Sequence, residues 1–268
     1  MPPARPFRVS CVVVAAGLSL IVERGETVRA ATTAAPQALT VSAAISLSDV
    51  LRDIAGAFHR AGGAPVRFNL ASSNALARQI INGAPVDVFI SADEAQMKVA
   101  EAAGAMVKES AVVVAANQLA IVALPERMQA LARGLSRGDI RIRRLAIGDP
   151  SAVPAGVYAR AYLERKGLWE TYRSRIVPTT NVRAALAAVE NGGADAAIVY
   201  VTDARRSTVV AVAFTIPTGE TPFIGYQAAI VARSPHREQA RAFLAFLRGP
   251  QAGRLFEKHG FLPVPAGH

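Results

Sequence analysis

Short apolar runs alternate with segments of helical hydrophobic spacing through the first part of the chain. The run LTVSAA, beginning at Leu39, predicts a buried strand, and SLSDVLRDIAGAF carries its apolar residues at intervals of three and four, as a helix does. APVRFNLA followed by SSNALARQIING, and VDVFISAD followed by EAQMKVAEAAGA, repeat the order of strand, turn and helix. This alternation predicts an α/β fold built on a mostly parallel sheet flanked by helices.

The later part of the chain repeats this pattern and adds two long connections. NQLAIVALP predicts a long apolar strand from Asn117 that leaves the first group of elements, and TPFIGYQAAIVAR is long enough to return to it. We therefore expect two α/β lobes joined by two crossing hinge strands. The predicted first lobe comprises residues 39–117 and 229–268, and the predicted second lobe comprises residues 118–228.

The first thirty residues have the features of a secretory signal peptide. An apolar run from Val9 to Val22 follows two arginines and precedes the polar ERGETVRA, with cleavage expected after Ala30 or slightly later. The run is too short for the ~20 residues that a transmembrane helix needs. The single cysteine, Cys11, lies inside the run without a lipoprotein pattern, so we expect a periplasmic protein that is not a lipoprotein, with residues 31–38 as a flexible tether.

The charge of the chain narrows the possible partners. The full sequence has 30 basic and 20 acidic side chains, and removal of residues 1–30 leaves 26 and 18, a net charge of +8. A basic surface suits nucleic acid or anions. Export and the scattered arginines argue against nucleic acid, so a small anionic ligand is the better expectation. With no cysteine left after cleavage, we also expect no disulfide and no thiolate metal site.

Neutral hydrogen-bond donors occur where predicted strands end and helices begin. Each helix start has amides without an internal partner and a partial positive charge, so several of them aimed at one point bind an anion without any cationic side chain. Each serine taken alone is also explained as an ordinary N-cap, with Asp49 as a capping-box partner for Ser46. The donors at these turns are Ser46, Ser73, the amides of Ala155 and Gly156, the amides of Asn181 and Val182, and Tyr200.

Five segments carry a family resemblance: SAAISLSDVLRDIAGAF, ASSNALARQIINGAPVDVFISAD, AIGDPSAVPAGVYARAYLERKGLW, NVRAALAAVENGGADAAIVY and GPQAGRLFEKHGF. Together they resemble the periplasmic molybdate-binding protein of bacterial ABC transporters, in order from about Leu39 to Pro263. The resemblance implies a two-lobed Venus-flytrap fold that holds molybdate, and also tungstate, in its cleft. It further implies delivery to a membrane ABC permease, a monomer, no cofactor and no enzymatic activity.

The resemblance also implies which residues bind the oxyanion. The matching positions are Ser46, Ser73, Ala155, Val182 and Tyr200. Two positions depart from the family pattern: Ile45 stands where alanine is common, and VYVTDA replaces a small pair after the tyrosine. Ile45 would crowd the pocket, which leaves the choice between molybdate and tungstate open.

Three alternatives compete with this interpretation. GLSRG matches the G-x-S-x-G pattern of serine hydrolases at Ser136, but a helical segment precedes it and a strand follows, the reverse of a nucleophile elbow. His236 and His259, the histidines that would complete a triad, are expected to be solvated. A same-fold protein for sulfate, phosphate or an organic acid is the second alternative. Arg183 and Arg78, the arginines nearest the proposed turns, are expected to point away from the ligand.

Capture of a metal cation is the third alternative. It requires converging histidine or carboxylate ligands. The four histidines lie far apart in the sequence. Asp87, Asp93 and Asp203 are more simply explained as caps or structural acceptors near strand ends, so we expect no cation site.

Overall fold

The computed structural model describes Met1 and residues 37–128 and 142–267. The elements described below lie in one compact unit, Pro36–His268. Within it the strands form two separate five-stranded sheets, each the centre of one lobe. The predicted α/β two-lobed fold is therefore confirmed.

The sheet of the first lobe has the order β2-β1-β3-β10-β4. Its strands are β1 Leu39–Ala44, β2 Val66–Ala71, β3 Val88–Ser91, β4 Val112–Ala116 and β10 Gly225–Ile230. β1 pairs in parallel with both β2 and β3, whereas β10 runs antiparallel to β3 and β4. The central strands β1, β3 and β10 are mostly apolar and almost entirely buried, as is typical of strands covered by helices on both faces.

The sheet of the second lobe has the order β7-β6-β8-β5-β9. Its strands are β5 Leu119–Ala123, β6 Leu145–Gly148, β7 Ile176–Thr179, β8 Ala196–Tyr200 and β9 Ala211–Thr215. β6 pairs in parallel with β7 and β8, and β5 runs antiparallel to β8 and β9. In each sheet the reversed strand, β10 or β5, is the one by which the chain enters from the other lobe.

Helices follow most strands of both sheets. In the first lobe these are α1 Ser48–Arg60, α2 Ser73–Ile81, α3 Glu94–Ala102, α8 Arg237–Leu247 and α9 Pro250–Lys258. In the second lobe they are α4 Pro154–Arg165, α5 Trp169–Tyr172, α6 Val182–Glu190 and α7 Val201–Ala204. α1 illustrates why they form: Val50, Leu51, Ile54 and Phe58 recur at helical spacing and are all buried.

The chain crosses between the lobes twice. The first crossing is short, because only Asn117 and Gln118 separate β4 from β5. The second lies between β9 and β10. The sequence places the second lobe boundary at residue 228, but β10 lies wholly in the first sheet from Gly225 onward. The hydrophobic pattern also does not predict β4 as a separate strand, because neither glycine nor proline separates its apolar residues from those of β5.

Two expectations about helix starts are wrong. Ser46 does not cap α1: it lies in a 3-10 helix, Ile45–Leu47, and α1 begins at Ser48 without a side-chain cap. Ser73 is not the N-cap of α2 but its first residue, and Ser72, which precedes it, makes no side-chain capping hydrogen bond. The serine hydroxyls are therefore not used to complete their own helices. In the described part of the chain, no helix is both long and apolar enough to cross a bilayer.

Candidate functional site

Strand-to-helix turns from both lobes meet at one small cavity with about 220 Å³ of empty space, part of it open to solvent. The five residues predicted as ligands all line it, although they come from separate turns. Among the described residues, no charged side chain lines this cavity. The residues that line it are Ala44, Ile45, Ser46, Ala71, Ser72, Ser73, Ala92, Val153, Pro154, Ala155, Asn181, Val182 and Tyr200.

Two helix starts in the second lobe bring free amides to the cavity. In α4 the first intrahelical bond runs from Val157 N–H to Val153 C=O, so the amide of Ala155 has no partner within the helix. In α6 the side chain of Asn181 accepts from Ala184 N–H and caps the helix. The amide of Val182 precedes these bonds. Both lining amides therefore remain donors.

The turn before α4 depends on two glycines. A side chain on Gly156 would place its Cβ 1.9 Å from the carbonyl oxygen of Gly148. A Cβ on Gly148 would in turn come within 2.5 Å of Val153. The start of α4 thus lies directly against the end of β6. The sequence offered the Gly156 amide as a donor, but Gly156 does not line the cavity and instead allows this close approach.

Two hydroxyl groups have surroundings that suit them as donors. Ser73 Oγ accepts a hydrogen bond from Ala92 N–H at 2.9 Å, which leaves its own proton free for a further acceptor. Tyr200 is 1% exposed, and within the described residues its Oη has no hydrogen-bond partner. Burial, together with the neighbouring Tyr226, raises the pKa of Tyr200 well above its usual value. Its hydroxyl therefore stays protonated.

Beside the cavity, four charged side chains connect the lobes. Arg183 of α6 contacts Asp49 of α1 through Nη2 and Oδ2 at 2.9 Å, and its Nε contacts Asp203. Arg206 also contacts Asp49, at 2.7 Å. We call Asp49, Arg183, Asp203 and Arg206 the interlobe ion cluster. Arg183 does point away from the cavity, as expected, and its side chain instead bridges the two lobes.

Asp203 is the most deeply buried member of the interlobe ion cluster. Its side chain is fully buried, and this burial raises its pKa from 3.8 to about 6. The charge of Arg183 works in the opposite direction and lowers the pKa, while the charge of Asp49 raises it. The sequence interpreted Asp203 as a structural acceptor, which agrees with this contact.

The histidines that the sequence paired with Ser136 have other partners. His236 Nδ1 lies 3.1 Å from Asp87 Oδ1, and the Ser234 hydroxyl donates to the same oxygen at 2.6 Å. His259 Nε2 lies 2.9 Å from the carboxylate of Asp53. Both imidazole side chains are about one quarter exposed, so the expectation that they are simply solvated is wrong. Ser136 itself lies outside the described residues.

No cluster suited to a cation occurs in residues 37–128 and 142–267. Asp93 caps α3 by accepting from Gln96 N–H at 2.9 Å. Its burial raises its pKa. Asp87 accepts from Thr40 N–H at 2.8 Å and holds β1. Asp87 and Asp93 therefore accept hydrogen bonds from backbone amides and do not converge on one point.

Comparison with known proteins assigns the chain to a class. The family model for bacterial extracellular solute-binding proteins matches residues 39–262, so the chain belongs to that family. The molybdate-binding protein ModA of Escherichia coli K12 is 38% identical over 227 residues, which cover 83% of this chain and 88% of the relative. ModA of Haemophilus influenzae is 33% identical, with coverage of 85% and 91%.

Solved structures agree with the fold. The periplasmic molybdate-binding protein of Azotobacter vinelandii superposes with a TM-score of 0.75 at 25% identity, covering 85% of this chain and all of that chain. The sulfate-binding protein SubI of Mycobacterium tuberculosis superposes with a TM-score of 0.72 at 18% identity, covering 86% and 88%. At that identity the second likeness concerns the fold alone.

Proposed function

We propose that the protein is a periplasmic solute-binding protein that captures molybdate, and tungstate as a second ligand, and delivers it to a membrane ABC importer. The observation that carries the proposal is the convergence of Ser46, Ser73, Ala155, Val182 and Tyr200 on one cavity whose described lining has no charged side chain. Relatives named for molybdate binding, 38% and 33% identical along most of their length, support the choice of ligand.

The chemistry of the cavity suits a dianion that carries no proton. Hydroxyl and amide donors each contribute roughly 1.5–3 kcal/mol toward a charged acceptor, and together they offset the desolvation of the ligand. Molybdate and tungstate are larger tetrahedra than sulfate, so the size of the cavity is the expected basis for rejecting sulfate. Hydrogen phosphate carries a proton that needs an acceptor, and in this proposal the five ligand groups act as donors.

The remaining parts of the proposal follow from this role. Residues 1–30 act as a cleaved signal peptide, and Cys11 is removed with them rather than lipidated. The mature chain is a monomer that binds no nucleic acid. Binding is reversible and no bond is made or broken, so the protein is not an enzyme.

Titration calorimetry of the mature chain with molybdate, tungstate, sulfate and phosphate tests the ligand. We expect tight binding of the first two and at least hundredfold weaker binding of sulfate. Equal affinity for sulfate and molybdate would overturn the assignment to molybdate.

Replacing both serines tests the site. Ser46→Ala with Ser73→Ala removes two hydroxyl donors, and we expect molybdate affinity to fall by roughly a hundredfold or more. The thermal unfolding temperature should fall by several degrees, because the Ala92 amide and the Tyr226 hydroxyl lose their acceptors, but unfolding should remain cooperative. Unchanged affinity would show that the ligand binds elsewhere.

A further inference from the structure

A chain of buried hydrogen bonds leads from the cavity to the crossing between the lobes. Ser46 Oγ lies 3.0 Å from Tyr226 Oη. Asn117 Nδ2 lies 3.2 Å from the same Tyr226 oxygen and 2.9 Å from Thr202 Oγ1. All four residues are at most 6% exposed. The chain therefore connects a predicted ligand of the oxyanion to groups that are remote from it in sequence.

The members of this chain lie at the joints of the fold. Asn117 separates β4 from β5 at the first crossing, and Tyr226 is the second residue of β10, just after the second crossing. Thr202 follows Tyr200 by two residues in α7. The hydroxyl of Ser46 thus contacts Tyr226, which lies near the start of β10, the reversed strand of the first lobe.

The direction of these hydrogen bonds is determined by Asn117. Its Oδ1 accepts from Gln118 N–H at 2.9 Å, so the atom that faces Tyr226 is the amide nitrogen, which only donates. Tyr226 Oη therefore accepts from Asn117. Within the described residues, Ser46 Oγ is the acceptor available for the Tyr226 proton. Tyr226 consequently donates to Ser46, and the proton of Ser46 is left for the cavity.

Tyr226 remains protonated under all ordinary conditions. Its side chain is fully buried, and this burial raises its pKa, with the charge of Asp203 acting in the same direction. A protonated phenol can serve as a permanent donor. Ser73 has an equivalent arrangement, because the backbone amide of Ala92 donates to its Oγ.

We propose that Tyr226, held by Asn117, is a positioning residue that directs the Ser46 hydroxyl proton toward the bound oxyanion. This inference rests on the proposed function and extends it to a residue that does not line the cavity. Hydrogen bonds in a chain polarise one another, so the Tyr226 hydroxyl both orients Ser46 and strengthens its donation. Loss of the Tyr226 hydroxyl should weaken oxyanion binding through Ser46 and by no other route.

A double-mutant cycle on the mature chain tests this coupling. Tyr226→Phe removes one oxygen and keeps the ring that packs on Phe261, with centroids 5.5 Å apart. We expect it to weaken molybdate binding about threefold to tenfold, the effect of one hydrogen bond. In the Ser46→Ala background the same substitution should change the affinity less than twofold. A purely structural role would give the same loss in both backgrounds, and that result would overturn the inference.

Tyr162→Phe is the matched control. Tyr162 is a buried tyrosine of α4 that does not line the cavity, so its variant should bind molybdate like the wild type. Ligand-free thermal unfolding of every variant establishes that each is folded.

The wild-type titration separates the two proposals. If the wild type binds sulfate in preference to molybdate, the proposed ligand is wrong, and the cycle measured with sulfate still decides the role of Tyr226. If it binds molybdate and the cycle is additive, only the role of Tyr226 is overturned. If it binds none of the four oxyanions, both proposals fall.

Discussion

The cavity and the interlobe ion cluster are neighbours with opposite chemistry. Val182 lines the cavity and Arg183, the next residue, belongs to the ion cluster. The described residues that line the cavity include no charged side chain, whereas the ion cluster consists of four charged side chains, one of them fully buried. Both regions contain residues from the two lobes.

The difference separates the groups of the proposed ligand site from the groups that pair across the lobes. In the proposed site the donors are neutral, and a fixed positive charge in their place would favour any small anion and oppose its release. The formal charges instead pair with one another across the lobes. Arg183 pairs with Asp49 and Asp203 and does not line the cavity.

A charged side chain in the cavity should cause the largest loss of ligand affinity. Ser73→Asp introduces a carboxylate that can still accept from Ala92 N–H. At 4 Å and an intermediate effective dielectric constant, this carboxylate repels each negative charge of the ligand by about 4 kcal/mol. We therefore expect molybdate affinity, measured by calorimetry, to fall at least a thousandfold. Ser73→Asn is the neutral control of equal size. Similar losses for both variants would contradict the importance of neutrality.

The backbone of the cavity is tested at Gly156. Gly156→Ala drives a Cβ into the Gly148 carbonyl and must displace the start of α4 together with the Ala155 amide. We expect the free energy of unfolding to fall by about 1–3 kcal/mol, with a parallel loss of molybdate affinity.

Gly253→Ala in α9 is the control for that substitution. The added Cβ meets open space, so stability in urea denaturation should rise by less than about 1 kcal/mol and affinity should not change. A Gly156→Ala variant that behaves like the control would show that the turn tolerates a side chain.

The ion cluster predicts a pH-dependent stability. The folded-state pKa of Asp203 is raised to about 6, so the folded protein binds a proton more readily than the unfolded chain, and acidification from pH 7.5 to 4.5 favours the fold. We expect the wild type to gain about 2 kcal/mol relative to Asp203→Asn over this interval. Urea denaturation at both pH values measures it. Parallel pH profiles of the two proteins would contradict the buried, shifted carboxylate.

Weakening the contact between the lobes should have the smallest effect. Asp49→Asn reduces two interlobe ion pairs that are partly exposed, worth ~1 kcal/mol, so we expect about a fivefold loss of molybdate affinity. Asp53→Asn is the control on the same helix, because its partner His259 belongs to the same lobe. Equal effects of the two substitutions would show that the interlobe contact does not assist binding.

Local hydrophobic patterns in the sequence predict most of the strands and helices. Strand, turn and helix alternate with clear hydrophobic periods, so the elements that present Ser46, Ser73 and Ala155 could be located before the structure was known. The positions at the turns already included all five predicted ligands, with Gly156 and Asn181 as further candidates, and the resemblance then selected the five. Whether these five residues bind the ligand stays a prediction, although the structure brings them together in one cavity.

What the sequence did not predict depends on long-range contacts. We interpreted Ser46 as an N-cap because serine before a helix usually is one, but its partner is Tyr226, 180 residues away. The role of Asn117 at the crossing carried no local signal. Arg183 lies outside the cavity lining, as expected, yet its contact with Asp49, 134 residues away, requires the two lobes to be folded together.

The amide of Ala92 has a thermodynamic consequence. By occupying the acceptor side of Ser73 Oγ in the ligand-free fold, it restricts rotation of that hydroxyl before any anion arrives. A freely rotating hydroxyl would lose rotational entropy when the anion binds. The Ser73 hydroxyl loses this entropy during folding instead. Complex formation should therefore have a smaller entropic penalty than the number of ordered donors suggests.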